Sequence, residues 1–130
     1  MKLKGLLVAA LALGLAGCWL CERWNSIDDG ARRVLAGLHI VMPDDPRLPA
    51  LEKSYIDVDA EMRGLCAQPK PSKLAIAQTT LRGVAIVAGL VMELRSHPVP
   101  HGMTLPDIDL AKLEKDLAKA KADAEKELAK

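Results

Sequence analysis

The eight prolines of this chain fall into three short clusters, and their distribution limits the fold to a few long segments. The clusters lie within residues 43–49, 69–71 and 98–106. Proline ends a helix and does not fit the interior of a paired strand. The clusters are therefore predicted to be loops, and the segments before, between and after them are long enough to form helices.

Apolar residues recur at three- and four-residue spacing in these segments, as they do along one face of an amphipathic helix. The pattern predicts helices over residues 27–42, 50–66 and 73–95. The second has the most regular stripe, which consists of Leu51, Tyr55, Val58, Met62 and Leu65. With a further helix after residue 106, we predict an all-α fold, a small bundle of three or four helices.

Side chains that suit the N-cap position precede three of the predicted helices. Such a side chain accepts a hydrogen bond from a backbone N–H group of the first helical turn. The candidates are Ser26, Ser72, and either Asp107 or Asp109. They predict a helical domain over residues 26–105 and a C-terminal helix over residues 106–130, with residues 18–25 as a tether.

Residues 83–92 form the most apolar stretch of the predicted third helix. A membrane span is one alternative for this helix, but ten uninterrupted residues are about half of what a bilayer crossing requires. We therefore predict that the third helix lies at the centre of the bundle. Gly83 and Gly89 are expected to allow neighbouring helices to approach it closely.

The N-terminus has the ordered features of an export signal. Lys2 and Lys4 provide a short positive segment, and residues 6–15 form an uncharged run rich in Leu and Ala. This run is too short to cross a bilayer, which takes about 20 residues. The sequence thus predicts a targeting segment rather than a part of the folded domain.

The run ends in Leu15-Ala16-Gly17-Cys18, which resembles the lipobox of bacterial lipoproteins. The resemblance implies that residues 1–17 are a removed signal peptide and that Cys18 carries the lipid that attaches the chain to a membrane. It also implies that the chain faces the periplasm. Because Trp19 rather than aspartate follows the cysteine, the resemblance favours the outer membrane over the inner membrane. The alternative is an uncleaved signal anchor whose apolar run extends through Cys21.

The chain has three cysteines, an odd number that needs an explanation in an exported protein. Lipidation of Cys18 leaves Cys21 and Cys66, and an oxidising periplasm favours a disulfide between two remaining cysteines. We therefore predict this disulfide. The alternative is a buried free thiol at Cys66 and a free Cys21 in the tether.

Charge and motifs exclude several classes of function. The 18 basic and 17 acidic residues nearly balance, whereas a nucleic-acid partner would require a basic patch. The sequence has no P-loop, GxGxxG, HExxH or GxSxG motif, and we predict neither an enzyme nor a resident cofactor. The alternative to a protein-binding role is a metal or ligand site at His97, His101 and Met103, because imidazole and thioether groups suit copper.

The predicted C-terminal helix carries Leu110, Leu113 and Leu117 on one face, followed by alanines. This stripe is predicted to contact an envelope protein or a second copy of the chain. The alternative is that the first half of this helix packs on the rest of the domain and that its end is a solvated, fraying helix. Charged residues four apart, such as Lys112 and Asp116, are expected to pair within the helix.

These features predict a small lipoprotein that acts in the cell envelope through protein contacts. Secretion-system pilotins are similar in having a lipid anchor, a helical domain and a disulfide, and a lysis lipoprotein encoded by a phage has a comparable plan. A further expectation is a structural spacer, because the final Lys130 resembles the wall-linked lysine of the peptidoglycan-linked lipoprotein of enteric bacteria.

Overall fold

The structure is a computed structural model that describes the backbone of residues 2–130 and the side chains of residues 19–130. Within this part of the chain it contains four α-helices and no strand. The helices are α1 (Lys2–Val41), α2 (Leu48–Cys66), α3 (Lys73–Ser96) and α4 (Leu110–Leu128). The prediction of a small all-α bundle is therefore confirmed.

Successive helices run in opposite directions, and α1 and α3 form the centre of the bundle. Every pair of helices is in contact except α2 and α4, which flank the central pair. Four antiparallel helices bring the end of the chain back to the end of the bundle where the described side chains begin. Trp19 of α1 therefore lies beside two residues there, Lys73 at the start of α3 and Lys130, which follows α4. We call this end of the bundle the anchor end. The opposite end, with loops 42–47 and 97–109, is the distal end.

The core contains apolar residues from all four helices, and its largest side chain is Trp24. The Trp24 ring from α1 lies directly against Gly83 of α3, so the predicted close approach at Gly83 is confirmed. The prediction for Gly89 is wrong, since that residue is exposed and a Cβ there would have no neighbouring atom within 4 Å. The other fully buried large side chains are Tyr55, Ile27, Leu38, Met62, Ile76, Leu90, Val34, Val87, Thr79 and Thr80.

Among residues 19–130, whose side chains the structure describes, one helix, α3, is by length and composition alone long and apolar enough to cross a membrane. A buried core helix passes the same test, and half of the most apolar stretch of α3 is buried inside the bundle. The buried half faces α1, α2 and α4. Its exposed side includes Arg82 and Met92. The structure thus places α3 in the centre of the bundle, as the sequence predicted.

Two of the predicted N-caps are present in the structure. The Ser72 hydroxyl accepts a hydrogen bond from the Ala75 backbone N–H at 3.2 Å, at the start of α3. The Asp109 carboxylate accepts one from the Lys112 N–H at 2.9 Å, at the start of α4. These side chains satisfy backbone donors that have no partner within their own helix.

The predicted start of the first helix is wrong, and so is the predicted tether. Residues 19–25 are helical and continue directly into the rest of α1, so Ser26 is not an N-cap. The physical reason is that Cys21 and Trp24 extend the apolar stripe of α1 backwards at helical spacing and are buried in the bundle. The Ser26 hydroxyl instead donates a hydrogen bond to Asp116 of α4 at 2.9 Å.

The predicted partner-binding face of α4 is also wrong. Leu113 and Leu117 are only 3% and 5% exposed, because they pack into the bundle core, and Leu110 packs partly buried against it. Ala120 and Ala124 are buried as well, since small side chains let α4 lie close to its neighbours. The C-terminal helix therefore shares one core with the preceding helices instead of offering a separate apolar surface.

Candidate functional site at the anchor end

The predicted lipidation site, Cys18, lies outside the described side chains, but the residues that follow it directly are described. Trp19 and Leu20 are the first residues of α1 whose side chains the structure describes, and they lie at the anchor end. The Trp19 side chain is 39% exposed, and the guanidinium carbon of Arg23 lies 5.2 Å from the centre of its ring. An exposed indole stacked under a cation is thus the first described feature after the predicted lipid site.

A disulfide joins Cys21 of α1 to Cys66, the last residue of α2. The two Sγ atoms are 2.00 Å apart and the two Cα atoms are 6.0 Å apart, so the predicted disulfide is confirmed. Cys21 is buried and Cys66 is partly exposed. The bond fixes the end of α2 to α1 only two residues after Trp19, the first described side chain.

A groove opens beside the disulfide-bonded end of α1, between the start of α3 and the end of α4. We call it the anchor groove, and it is lined by Trp19, Leu20, Lys73, Ile76, Asp123, Lys126, Glu127 and Lys130. Its two carboxylates are already paired, Asp123 with Arg23 at 3.4 Å and Glu127 with Lys130 at 3.1 Å. Among the described side chains, no salt bridge involves Lys73 or Lys126. The groove therefore combines apolar side chains with unpaired cations.

Farther along α1 and α2, two carboxylates and two guanidinium groups form what we call the charged cluster: Asp28, Arg32, Asp59 and Arg63. Each helix supplies one Asp and, four residues later, one Arg. The carboxylates are only 11% and 7% exposed in their side chains, whereas each arginine side chain is about half exposed. Buried carboxylates thus lie beneath arginines that reach the solvent.

Each arginine of the charged cluster bridges both carboxylates. Arg32 donates from Nε to Asp28 at 3.0 Å and from Nη2 to Asp59 at 2.9 Å. Arg63 donates from Nε to Asp59 at 3.1 Å and from Nη2 to Asp28 at 2.6 Å. Hydrogen bonding to Asp28 raises the pKa of Arg32, and hydrogen bonding to Asp59 raises the pKa of Arg63. The crossed pairs fix the register of α2 on α1.

Two buried aromatic side chains complete the charged cluster from the core side. The Trp24 indole N–H donates to Asp59 Oδ1 at 2.9 Å, and the Tyr55 hydroxyl donates to Asp28 Oδ1. The two rings are stacked with their centres 6.2 Å apart. Burial raises the pKa of Tyr55 well above its usual range, and the negative charge of Asp28 raises it further.

All four carboxylate oxygens of the charged cluster accept at least one hydrogen bond, so the cluster is internally satisfied. Its chemistry is that of a structural clamp between two helices, because two positive charges balance two negative charges. The sequence did not predict this charged cluster. The available signal was the repeated spacing of Asp28 with Arg32 and of Asp59 with Arg63, each of which places opposite charges on one helix face.

The structure places the predicted metal-binding residues in the distal loop 97–109. The His97 Nδ1 atom is 2.8 Å from the backbone oxygen of Glu93, which attaches the ring to the last turn of α3. His101 and Met103 are exposed. Among the described residues, no group of three or more His, Cys, Asp or Glu side chains is arranged to hold a metal ion. Nothing in this arrangement favours metal binding over helix capping by His97.

No family model, curated protein or solved structure matches this chain.

Proposed function

We propose that this protein is a lipoprotein attached to a membrane through Cys18, and that it works at the periplasmic face as a non-enzymatic adaptor. The observation that carries the proposal is the use of the three cysteines. Cys21 and Cys66 are bonded to each other, which leaves Cys18, at the end of the lipobox-like Leu15-Ala16-Gly17-Cys18, for lipidation. A disulfide also fits an oxidising compartment such as the periplasm.

Attachment at Cys18 would give the bundle a defined orientation. From Trp19 to Val41, α1 is continuously helical, and at 1.5 Å per residue this length corresponds to about 33 Å. The loops at the distal end would therefore be presented at about this distance from the membrane. A short helical bundle on a lipid anchor is suited to holding a binding surface near a bilayer, here proposed to be the outer membrane.

The proposed protein contacts lie at the distal end rather than on α4, whose leucines are buried. In the distal loop 97–109, Val99 is 44% exposed and Met103 is 51% exposed. Exposed apolar side chains of this kind contribute to protein interfaces when a partner covers them. Methionine is well suited to such a role because its side chain adapts to different partner shapes.

The lipid anchor is tested by the intact mass of the protein in the membrane fraction. We expect a chain that begins at Cys18 and carries an added lipid mass, and we expect Cys18→Ser to lose both the added mass and the processing. A matched control, Cys21→Ser with Cys66→Ser, should retain the lipid. A full-length, unmodified wild-type chain in the membrane would contradict the proposal and support an uncleaved signal anchor.

The adaptor role is tested by site-specific photo-crosslinking in intact cells. A photoreactive residue at Met103 should give a discrete crosslinked species with an envelope protein, and Cys18→Ser should abolish it. The matched control is the same residue at Lys53, an exposed position on α2. A secretin partner would indicate a pilotin-like role, and an inner-membrane partner a lysis-lipoprotein-like role. Equal crosslinking at both positions would count against a distal adaptor surface.

A further inference from the structure

We propose that the anchor groove binds the phosphate groups of anionic lipids in the bilayer to which the chain is attached. This inference rests on the proposed lipid anchor at Cys18, but it adds a second contact with the membrane. The anchor end of the bundle would then contact the bilayer directly, and the bundle would not move freely around the lipid at Cys18.

The charges of the anchor groove support an anionic occupant. Lys73 and Lys126 line the groove and form no salt bridge among the described side chains, whereas Asp123 and Glu127 are each paired with a cation. Lys70 adds a further exposed cation in the α2–α3 loop at the same end. Lysine binds phosphate as a point charge, and lysines close to an anionic bilayer are attracted to its surface.

The tryptophan in the groove points to a lipid surface rather than to a free anion. Trp19 follows Cys18 directly, so its Cα lies about 3.8 Å from that of the lipid-bearing residue. Its indole ring is partly exposed, with Arg23 stacked on one face. Tryptophan is enriched at the headgroup level of membranes, where its apolar ring and polar N–H group are both accommodated.

The distal end has the opposite charge and would not compete for the same surface. Its loops 42–47 and 97–109 together contain Asp44, Asp45, Asp107 and Asp109, but only one lysine or arginine, Arg47. An anionic bilayer would therefore attract the anchor end and repel the distal end. This difference would keep the distal loops directed away from the membrane.

Lysine acetylation of the processed, lipidated protein in vesicles tests this inference. One set of vesicles contains phosphatidylcholine only, and the other contains phosphatidylcholine with phosphatidylglycerol. Acetylation by N-hydroxysuccinimidyl acetate is followed residue by residue by mass spectrometry, with the exposed Lys53 as an internal reference. We expect Lys73 and Lys126 to react severalfold more slowly on the anionic vesicles, and Lys53 to react equally on both.

A pair of variants separates a specific groove from a general charge effect. Lys130 also lines the groove, so anionic vesicles should protect it as well. Lys73→Gln with Lys126→Gln should remove this protection of Lys130. The charge-matched control, Lys115→Gln with Lys119→Gln, changes two exposed lysines of α4 that do not line the groove, keeps Lys53 as the reference, and should retain the protection. Loss of protection in both variants would contradict a specific role for the groove.

Two further outcomes would overturn the inference. If inorganic phosphate added to phosphatidylcholine vesicles protects Lys73 and Lys126 equally well, the groove binds free phosphate instead of a bilayer. If the lipidated protein is bound to vesicles but shows no protection, the second membrane contact does not exist. An unlipidated chain, detected beforehand by intact mass, would instead contradict the lipid anchor itself.

Discussion

The indole ring of Trp24 occupies the space that a Cβ atom at Gly83 would need. The same ring stacks on Tyr55 and donates its N–H group to Asp59, so it is fixed by contacts with α2 and α3 at once. Trp24 is 2% exposed. One residue of α1 therefore joins the apolar core to the charged cluster.

Gly83→Ala should destabilise the fold, because the added methyl group would overlap the Trp24 ring. We expect the free energy of unfolding to fall by about 1–3 kcal/mol, the range for overpacked core positions. Gly89→Ala in the same helix is the matched control. A Cβ there meets no atom within 4 Å, so this variant should gain about 0.5–1 kcal/mol from better helix propensity. Urea unfolding followed by circular dichroism measures both, and equal effects would contradict the packing described here.

Tyr55 gives the fold a specific sensitivity to alkaline pH. Its pKa in the folded chain is raised above the ordinary value of 10.0, whereas the unfolded chain has the ordinary value. Below about pH 10 the tyrosine is neutral in both states, and its contribution to stability is complete. As the pH rises above this value, the unfolded state releases the proton first, so the free energy of unfolding should decrease.

This alkaline effect can be assigned to one residue, because Tyr55 is the only tyrosine in the chain. Ultraviolet absorbance should show no tyrosinate in the folded protein just above pH 10 and its appearance on unfolding in urea. Tyr55→Phe should reduce the loss of stability with pH over the same interval. Ionisation of Tyr55 at its ordinary pKa in the folded protein would contradict its burial against Asp28.

Loss of Asp59 should leave three donors in the charged cluster without an acceptor, those of Trp24, Arg32 and Arg63. We expect Asp59→Ala to lower the free energy of unfolding by about 2–3 kcal/mol. This expected loss of stability is smaller than the loss on breaking a fully buried ion pair, because water can reach both arginines. Asp57→Ala is the control, since Asp57 is exposed and pairs with Lys53 on the surface. A change above about 0.5 kcal/mol in the control would show that the effect is not specific to the cluster.

Removal of the disulfide should destabilise the bundle without changing its fold. Cys21 and Cys66 are separated by 45 residues, and closing a loop of this length stabilises a protein by about 4 kcal/mol in the chain-entropy model. We expect Cys21→Ser with Cys66→Ser to lose stability of this order in urea unfolding. Reducing agent should lower the stability of the wild type and leave the double variant unchanged. An equal response in both proteins would show that the bond is not formed in solution.

Leu117→Ala tests whether α4 belongs to the core. A buried leucine contributes about 2–5 kcal/mol relative to alanine, and Leu117 is 5% exposed. The exposed Met92 of α3 provides the control, because Met92→Ala should change the free energy of unfolding by less than about 0.5 kcal/mol. If Leu117→Ala left stability unchanged but abolished a protein interaction, the original expectation of a partner-binding face would be restored.

Local signals in the sequence were sufficient for most of the fold. Proline clusters and N-cap residues predict where α3 and α4 begin, because these features act within one helical turn. The pairing of Cys21 with Cys66 followed from the number of cysteines and from the expected compartment. These predictions did not depend on knowing how the helices pack.

The errors came from contacts between residues far apart in the chain. The Ser26-Ile27-Asp28-Asp29 segment has the composition of a helix start, but the Asp28 carboxylate binds Arg63 and Tyr55 of α2 instead. Likewise, the leucine stripe of α4 has the same pattern whether it is covered by its own bundle or by a partner. Periodicity identifies an apolar face but does not identify what covers it.

The antiparallel arrangement of four helices also decides where a reporter protein can be attached. A fluorescent protein fused after Lys130 would begin beside Trp19 and would occupy the space at the anchor end of the bundle. Gly102 is a better insertion site, because it lies in an exposed distal loop and has a φ angle of 81°, which suits a turn rather than a packed helix. An even number of helices thus makes an internal loop, and not the C-terminal residue Lys130, the accessible position for labelling.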